Sequence, residues 1–323
     1  MSKEPKKRIQ IHYEADTQIE ELMNEFIMEK EADGRSESTI DSYRNSFKKF
    51  FHYFNNLKAK DINKDIIFHY KSYLQEEEHL SVSSINHYVR DLRTFMNWGY
   101  AFHDFPKLKI SLLKGQDPIK EVYSPEELRK LLVKPVSKDS FAEWRTWVII
   151  NWILGTGNRI DTIINVRIKD IHFTQSLITI RAQKNKRTSN IPLDKNLSSI
   201  LREYIKTYRR EVDENDYLFC NIYGEQLTRN ALQHALIDYN RKRGVEKTSA
   251  HALRHTFAKM FIENSGGDVF RLQRILGHST LEMTRRYVNL FDADLKRGYD
   301  DISPLSLLSK KQGSREHKVK AVV

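Results

Sequence analysis

Apolar residues recur at helical spacing through the first hundred positions. Ile19, Leu22, Met23, Phe26 and Ile27 fall three and four apart, and Gly34 stops the run. Ser38 is expected to cap the next helix, with Asp41 three residues on reaching back to the open amides. Ile40, Tyr43, Phe47, Phe50, Phe51 and Phe54 mark the apolar side of that helix. A third helix is predicted over residues 64–77. A fourth begins near Ser81 and carries Ile85, Tyr88, Val89, Leu92, Phe95, Met96 and Trp98. Residues 105–121 break the period and hold Pro106, Gly115 and Pro118, the composition of a linker.

The helical pattern resumes with a strong start signal. Ser124 stands at the cap, Pro125 at the first helical position and Glu127 three after the cap, and Leu128, Leu131 and Leu132 follow. Residues 140–154 are apolar on nearly every side and predict a buried helix, ended by residues 155–157 (GTG). Over residues 170–193 the period shortens. The runs DIHF, SLITIR and TSNIPL predict a small antiparallel sheet, with Lys184, Asn185, Lys186 and Arg187 in the hairpin between the second and third. Further helices are predicted over residues 194–210, 228–243, 251–263, 268–276 and 280–290. The fold class is therefore mainly α with a small antiparallel β-sheet, in two domains. A basic N-terminal arm covers residues 1–13, a helical domain 14–103, a linker 104–121, a mixed α/β domain 122–308 and a basic tail 309–323.

A chain of 323 residues is long enough for both domains to bury a core. Its net charge of +11 makes a polyanion, nucleic acid first, the expected partner. On the polar faces of the first domain Arg44, Lys48, Lys49, His87, Arg90 and Arg93 are candidate phosphate contacts, joined by Lys114 in the linker and Lys186 in the hairpin. A solvated charged face is the competing reading of the same residues. The single cysteine, Cys220, excludes an intramolecular disulfide and a multi-cysteine zinc site; within YLFC it reads as a buried thiol. The first ten residues (MSKEPKKRIQ) lack the apolar core of a secretory signal, and no apolar run approaches the ~18 residues of a membrane span. A reducing cytoplasm, at the nucleoid, is the expected compartment.

The chemistry concentrates in residues 251–289. Phosphodiester transfer without a metal needs a nucleophile in line with phosphorus, fixed donors on the non-bridging oxygens and an acid for the leaving oxygen. His251 and Arg254 lie three apart on one predicted helix and share a face. A guanidinium suits the phosphate oxygens, because it stays charged and offers two parallel hydrogen bonds. His278 follows Leu276-Gly277, and Tyr287 closes the next predicted helix. A phenol with a reference pKa near ~10 needs nearby cations or a proton acceptor to react at neutral pH. Taken singly, each of these is more often a surface pair, a core tyrosine or a solvated turn.

In their order and spacing, these residues resemble the tyrosine recombinase (phage integrase) family. The matching segments are residues 251–255 (HALRH), 276–279 (LGHS) and Tyr287, with residues 156–159 (TGNR) and the lysine hairpin running to 191–193 (IPL) upstream. The resemblance implies a two-domain clamp on double-stranded DNA, built from a helical core-binding domain and a mixed α/β catalytic domain. It implies that Tyr287 attacks the scissile phosphate to form a 3′-phosphotyrosyl link. Arg159 and Arg254 would hold the non-bridging oxygens, His251 and His278 would assist, and Lys184 would protonate the leaving oxygen. It implies no cofactor and a homotetramer on DNA, with Leu305, Leu307 and Leu308 as a docking patch for a neighbour. It also points to an integrase or recombinase of a phage or other mobile element. The family's acidic position three after the first arginine is Thr162 here, preceded by Asp161, and Lys186 is the second choice for the lysine. His255 is read as structural. The rival readings are a repressor on the same scaffold that no longer recombines, a topoisomerase and, more weakly, a metal nuclease.

Overall fold

The periodic apolar segments form helices where their spacing places them. The computed structural model describes residues 16–115, 121–136, 138–181 and 188–288, and the chain divides into two units, Met1–Pro118 and Ile119–Val323.

The first unit contains α1 (Ile19–Ala32), α2 (Glu37–Tyr53), α3 (Lys64–Glu76) and α4 (Val82–Phe102). Its core is aromatic. Phe26 meets Tyr43, Phe47, Phe95 and Trp98 edge-on, with ring centroids 5.1 to 5.8 Å apart, the arrangement favoured by the ring quadrupole. The cap of α2 is Ser36 and not Ser38. Ser36 has the extended backbone a cap requires, and its hydroxyl meets those of Ser38 (3.2 Å) and Thr39 (2.9 Å), so Ser38 lies inside the first turn. The segment expected to be a linker is partly built into this unit. Phe105 and Ile110 are buried in its core, and Asn86 exchanges two hydrogen bonds with the backbone of Leu113, at 2.8 and 3.0 Å. The cause is its apolar content, since Leu108, Leu112 and Leu113 also pack against the core that takes in Phe105 and Ile110.

In the second unit, α5 (Pro125–Leu131) starts with the predicted capping box, Ser124 and Glu127 each accepting from the other's backbone N–H. Helix α6 (Phe141–Thr156) is the central element, packed by α8 (Lys195–Tyr208), α9 (Arg229–Lys242) and α10 (Ala250–Asn264). It runs through Gly155 and ends at Gly157, which takes the left-handed conformation at φ 64°. The terminating glycine is thus the second of the pair, because only there must the chain reverse its hand. A short α7 (Ile160–Ile163) follows. Then β1 (Ile171–His172), β2 (Leu177–Arg181) and β3 (Thr188–Pro192) form an antiparallel sheet in that order. Ile178 pairs with Ile191 and both are buried, which fixes the register, since a one-residue slip would expose them. Two short helices, α11 (Val269–Leu276) and α12 (Glu282–Val288), join part of α10 around a separate small core of Ala258, Ile262, Leu272, Leu276 and Tyr287. Cys220 is buried, as expected, and burial pushes its thiol pKa up. Among the described residues no helix is long and apolar enough to cross a membrane.

Candidate active site

The site forms where α6, α10, α11 and α12 end or cross. Ser249 caps α10 and accepts from the Ala252 N–H, which starts the helix so that residues 251, 254 and 255 emerge on one side. Gly157 ends α6 with its carbonyl aimed at Arg254, whose Nη1 donates to it at 2.5 Å. Arg254 Nη2 donates to the Leu276 carbonyl at 3.2 Å and to His278 Nε2 at 2.8 Å. At least three of the five N–H donors of this guanidinium are therefore engaged by the protein, and the residue is only 4% exposed.

Arg159 stands at the N-cap of α7 and reaches the same Leu276 carbonyl through Nη1 at 3.5 Å. Leu276 is the last residue of α11, and Gly277 beyond it turns left-handed at φ 62°. An open carbonyl at the negative end of a helix draws both cations to one point. Among the described residues neither arginine is hydrogen-bonded to a carboxylate. Burial pulls the Arg254 pKa down to about 10, and Arg159 beside it pushes the same way. Arg254 stays charged at neutral pH, and two guanidiniums that meet at one carbonyl are an arrangement that can receive an anion.

The tautomer of His278 follows from its partners. Arginine can only donate, so Nε2 carries the lone pair, and the proton on Nδ1 is donated to Thr284 Oγ1 at 2.8 Å. Thr284 is fully buried on α12, three residues before Tyr287. The Tyr287 ring is 3% exposed and lies parallel to the His278 ring, 6.3 Å between centroids. Its hydroxyl is 2.8 Å from His255 Nδ1. Burial raises the Tyr287 pKa above the ordinary phenol value, while Arg254 and then Arg159 pull it back. His251 is exposed, but its ring sits low enough among its neighbours for partial desolvation to lower its pKa. Arg254, Arg159 and Arg229 lower it further and Asp161 raises it. That carboxylate of Asp161 accepts from Arg229 on α9, so an acidic group does stand by the site, one position ahead of Thr162.

Arg159, His251, Arg254, His278 and Tyr287 thus come together. Lys184 and Lys186 lie outside the described residues. The sequence pattern gives His255 a structural role and does not single out Thr284. Both were visible as periodicity, since His255 is four after His251 and Thr284 three before Tyr287.

In the first unit, α2 and α4 border an open groove of about 1060 Å³ whose lining includes Ser42, Asn45, Lys48, Lys49, His87 and Tyr88. Asp91 accepts from Ser42 (2.9 Å) and Ser46 (2.6 Å) and ties the two helices together. Lys48, Arg90 and Lys114 are exposed and Arg93 is half-buried, whereas Arg44 is paired with Glu31 at 2.6 Å.

A mainly helical unit with two arginines, two or more histidines and a tyrosine around one anion site defines a class of DNA strand transferases, and the comparisons give it a family. The Phage integrase family profile matches residues 121–294, and the Phage integrase SAM-like domain profile matches residues 19–104. This chain belongs to the phage integrase family. It is 28% identical over 304 residues to "Tyrosine recombinase XerD" of Staphylococcus haemolyticus, spanning 90% of this chain and 99% of that one. It shares its fold with the XerH site-specific recombinase bound to palindromic difH substrate in a post-cleavage complex, at a TM-score of 0.69 and 22% identity, over 86% of this chain and 83% of that one. A lambda integrase tetramer bound to a Holliday junction shares it too, at 0.68 and 13%, over 84% and 77%.

Proposed function

We infer that this protein is a site-specific tyrosine recombinase, a DNA strand transferase acting on double-stranded DNA. The observation that carries the reading is the convergence of Arg159 and Arg254 on the Leu276 carbonyl, with the Tyr287 hydroxyl in their field. Two cations held together cost free energy until an anion joins them, and a scissile phosphate has two non-bridging oxygens to offer.

Tyr287 attacks phosphorus, and the bond to the 5′-oxygen breaks. The products are a 3′-phosphotyrosyl link and a 5′-hydroxyl, with Lys184 giving the leaving oxygen its proton. A 5′-hydroxyl from another strand then attacks the phosphotyrosine and rejoins the backbone. One phosphodiester replaces another, so the exchange is nearly balanced in energy and calls for no nucleotide cofactor. His278, fixed by Arg254 and Thr284, holds Arg254 in place, and His251 stays neutral at pH 7 as a hydrogen-bonding group at the edge of the site. Arm, linker and tail contribute phosphate contacts, and the acting species is a homotetramer on two DNA sites.

The test uses a duplex selected from a random-sequence pool by binding to the full chain, nicked near the inferred cleavage position. Wild type should give a covalent protein–DNA band on a denaturing gel, and Tyr287→Phe should bind equally in a native gel but give none. A covalent band from Tyr287→Phe would remove Tyr287 from its role. Binding by wild type with no covalent band would mark a DNA-binding protein on the recombinase scaffold.

A further inference from the structure

Tyr287 has a chemical difficulty that the two arginines do not solve. Its phenol is buried and its pKa is raised, so the proton must leave as the oxygen attacks. Arg254 can only donate. The lone pair of His278 is committed to Arg254, and its other nitrogen to Thr284. His255 Nδ1 stands 2.8 Å from the phenolic oxygen, with the two rings tilted by 51° and their centroids 5.5 Å apart. That distance is a direct hydrogen bond, within the range a general base requires. A phenol, with a reference pKa of ~10, is a weaker acid than an imidazolium at ~6.5, so at rest the phenol keeps its proton and donates it to the Nδ1 lone pair.

We propose that His255 is a catalytic residue of this site, the base that takes the Tyr287 proton during attack and returns it when the phosphotyrosyl bond breaks. The proposal rests on the recombinase reading above. In the forward step the phenolic O–H bond breaks, its proton moves to Nδ1, the oxygen bonds phosphorus, and the 5′-oxygen leaves with a proton from its own acid. In the rejoining step the incoming 5′-hydroxyl returns its proton to the acid that supplied it as its oxygen bonds phosphorus, and the departing phenolate recovers the proton from the His255 imidazolium. No co-reactant is consumed. Position on α10 serves this role. His255 is adjacent to Arg254, so the helix that fixes the phosphate-binding guanidinium also fixes the base against the nucleophile.

The experiment compares cleavage of the nicked site by wild type, His255→Asn and His255→Phe, each shown by native gel to bind the duplex with wild-type affinity. Asparagine can place an acceptor oxygen near the position of Nδ1 but cannot take the proton. His255→Asn should cleave on the order of 10²-fold more slowly, and its rate should keep rising with pH where wild type levels off. His255→Phe should be slower still. A 5′-bridging phosphorothiolate, whose sulfur leaves without protonation, should restore Lys184→Ala but not His255→Asn. Independently of any change at 255, Tyr287→Phe should move the imidazole ¹⁵N signals of His255 in the DNA-free chain. Wild-type cleavage by His255→Asn, restoration of that variant by the phosphorothiolate, or unmoved ¹⁵N signals would each overturn this assignment alone. A wild type that binds its site and never bonds to it would overturn the recombinase reading and this proposal together.

Discussion

At the scale of single residues the site is a set of donors and acceptors whose roles are fixed by what each side chain can physically do. Arg254 must donate, so His278 must accept at Nε2 and donate at Nδ1, and Thr284 is the group that makes this tautomer stable. The same arginine acts on His251. The depressed pKa of His251 has burial as its first cause and Arg254 as its second. A histidine whose folded pKa lies below the unfolded value of ~6.5 favours folding in its neutral form. Its contribution to stability is therefore complete above that value and is lost as pH falls through the folded pKa. By NMR the His251 ring should titrate below ~6.5. Arg254→Gln should move the midpoint upward but not fully back, since burial remains. A midpoint unchanged by the substitution would mean the two groups do not interact.

At the scale of elements, helix ends do much of the positioning. The carbonyl of Gly157 at the end of α6 and that of Leu276 at the end of α11 both receive Arg254. The two glycines at these ends differ in what surrounds them. A Cβ on Gly157 would lie 2.4 Å from a Phe257 ring carbon and 2.6 Å from a Leu276 methyl, while one on Gly277 would meet nothing within 4 Å. Both have positive φ, so alanine at either position carries a backbone cost of about 1–2 kcal/mol. Only Gly157→Ala adds overpacking, about 1–3 kcal/mol more. Urea denaturation of the two variants should show Gly157→Ala the less stable by roughly that second amount. Gly157→Ala should also lose covalent complex formation, because the carbonyl that holds Arg254 is displaced. Equal stabilities would show that the Phe257 and Leu276 side chains move aside without cost.

At the scale of the whole molecule, the net charge of +11 has to be set against how the cations are used. Arg44 is held by Glu31 and Lys49 by Glu78, at 2.6 and 2.7 Å, whereas Lys48, Arg90 and Lys114 are exposed. Binding through such groups releases counterions from DNA. With about six phosphates contacted, affinity should fall on the order of 10³-fold between 50 and 200 mM salt. Fluorescence anisotropy with the full chain and the selected duplex measures this directly. A fall of less than about tenfold would be too shallow for phosphate-dominated binding.

The sequence by itself determined what depends on neighbours three or four positions away. The apolar stripe of α1, the Ser124 capping box, the three strands and the residue types of the site all belong there, because helical and extended periodicity is a property of the local backbone. Local pattern also misplaced some boundaries. Ser38 looked like a cap although Ser36 has the cap's backbone, and residues 105–115 looked like a tether although Phe105 and Ile110 complete a core. Only the tertiary structure decided which atoms of the site meet. Arg254 and His278 are 24 residues apart, and His255 and Tyr287 are 32 apart. Those contacts depend on how α10, α11 and α12 close around their small core, and no helical period carries that distance. His255 therefore read as one more residue on a helix face until packing brought its Nδ1 against the Tyr287 hydroxyl.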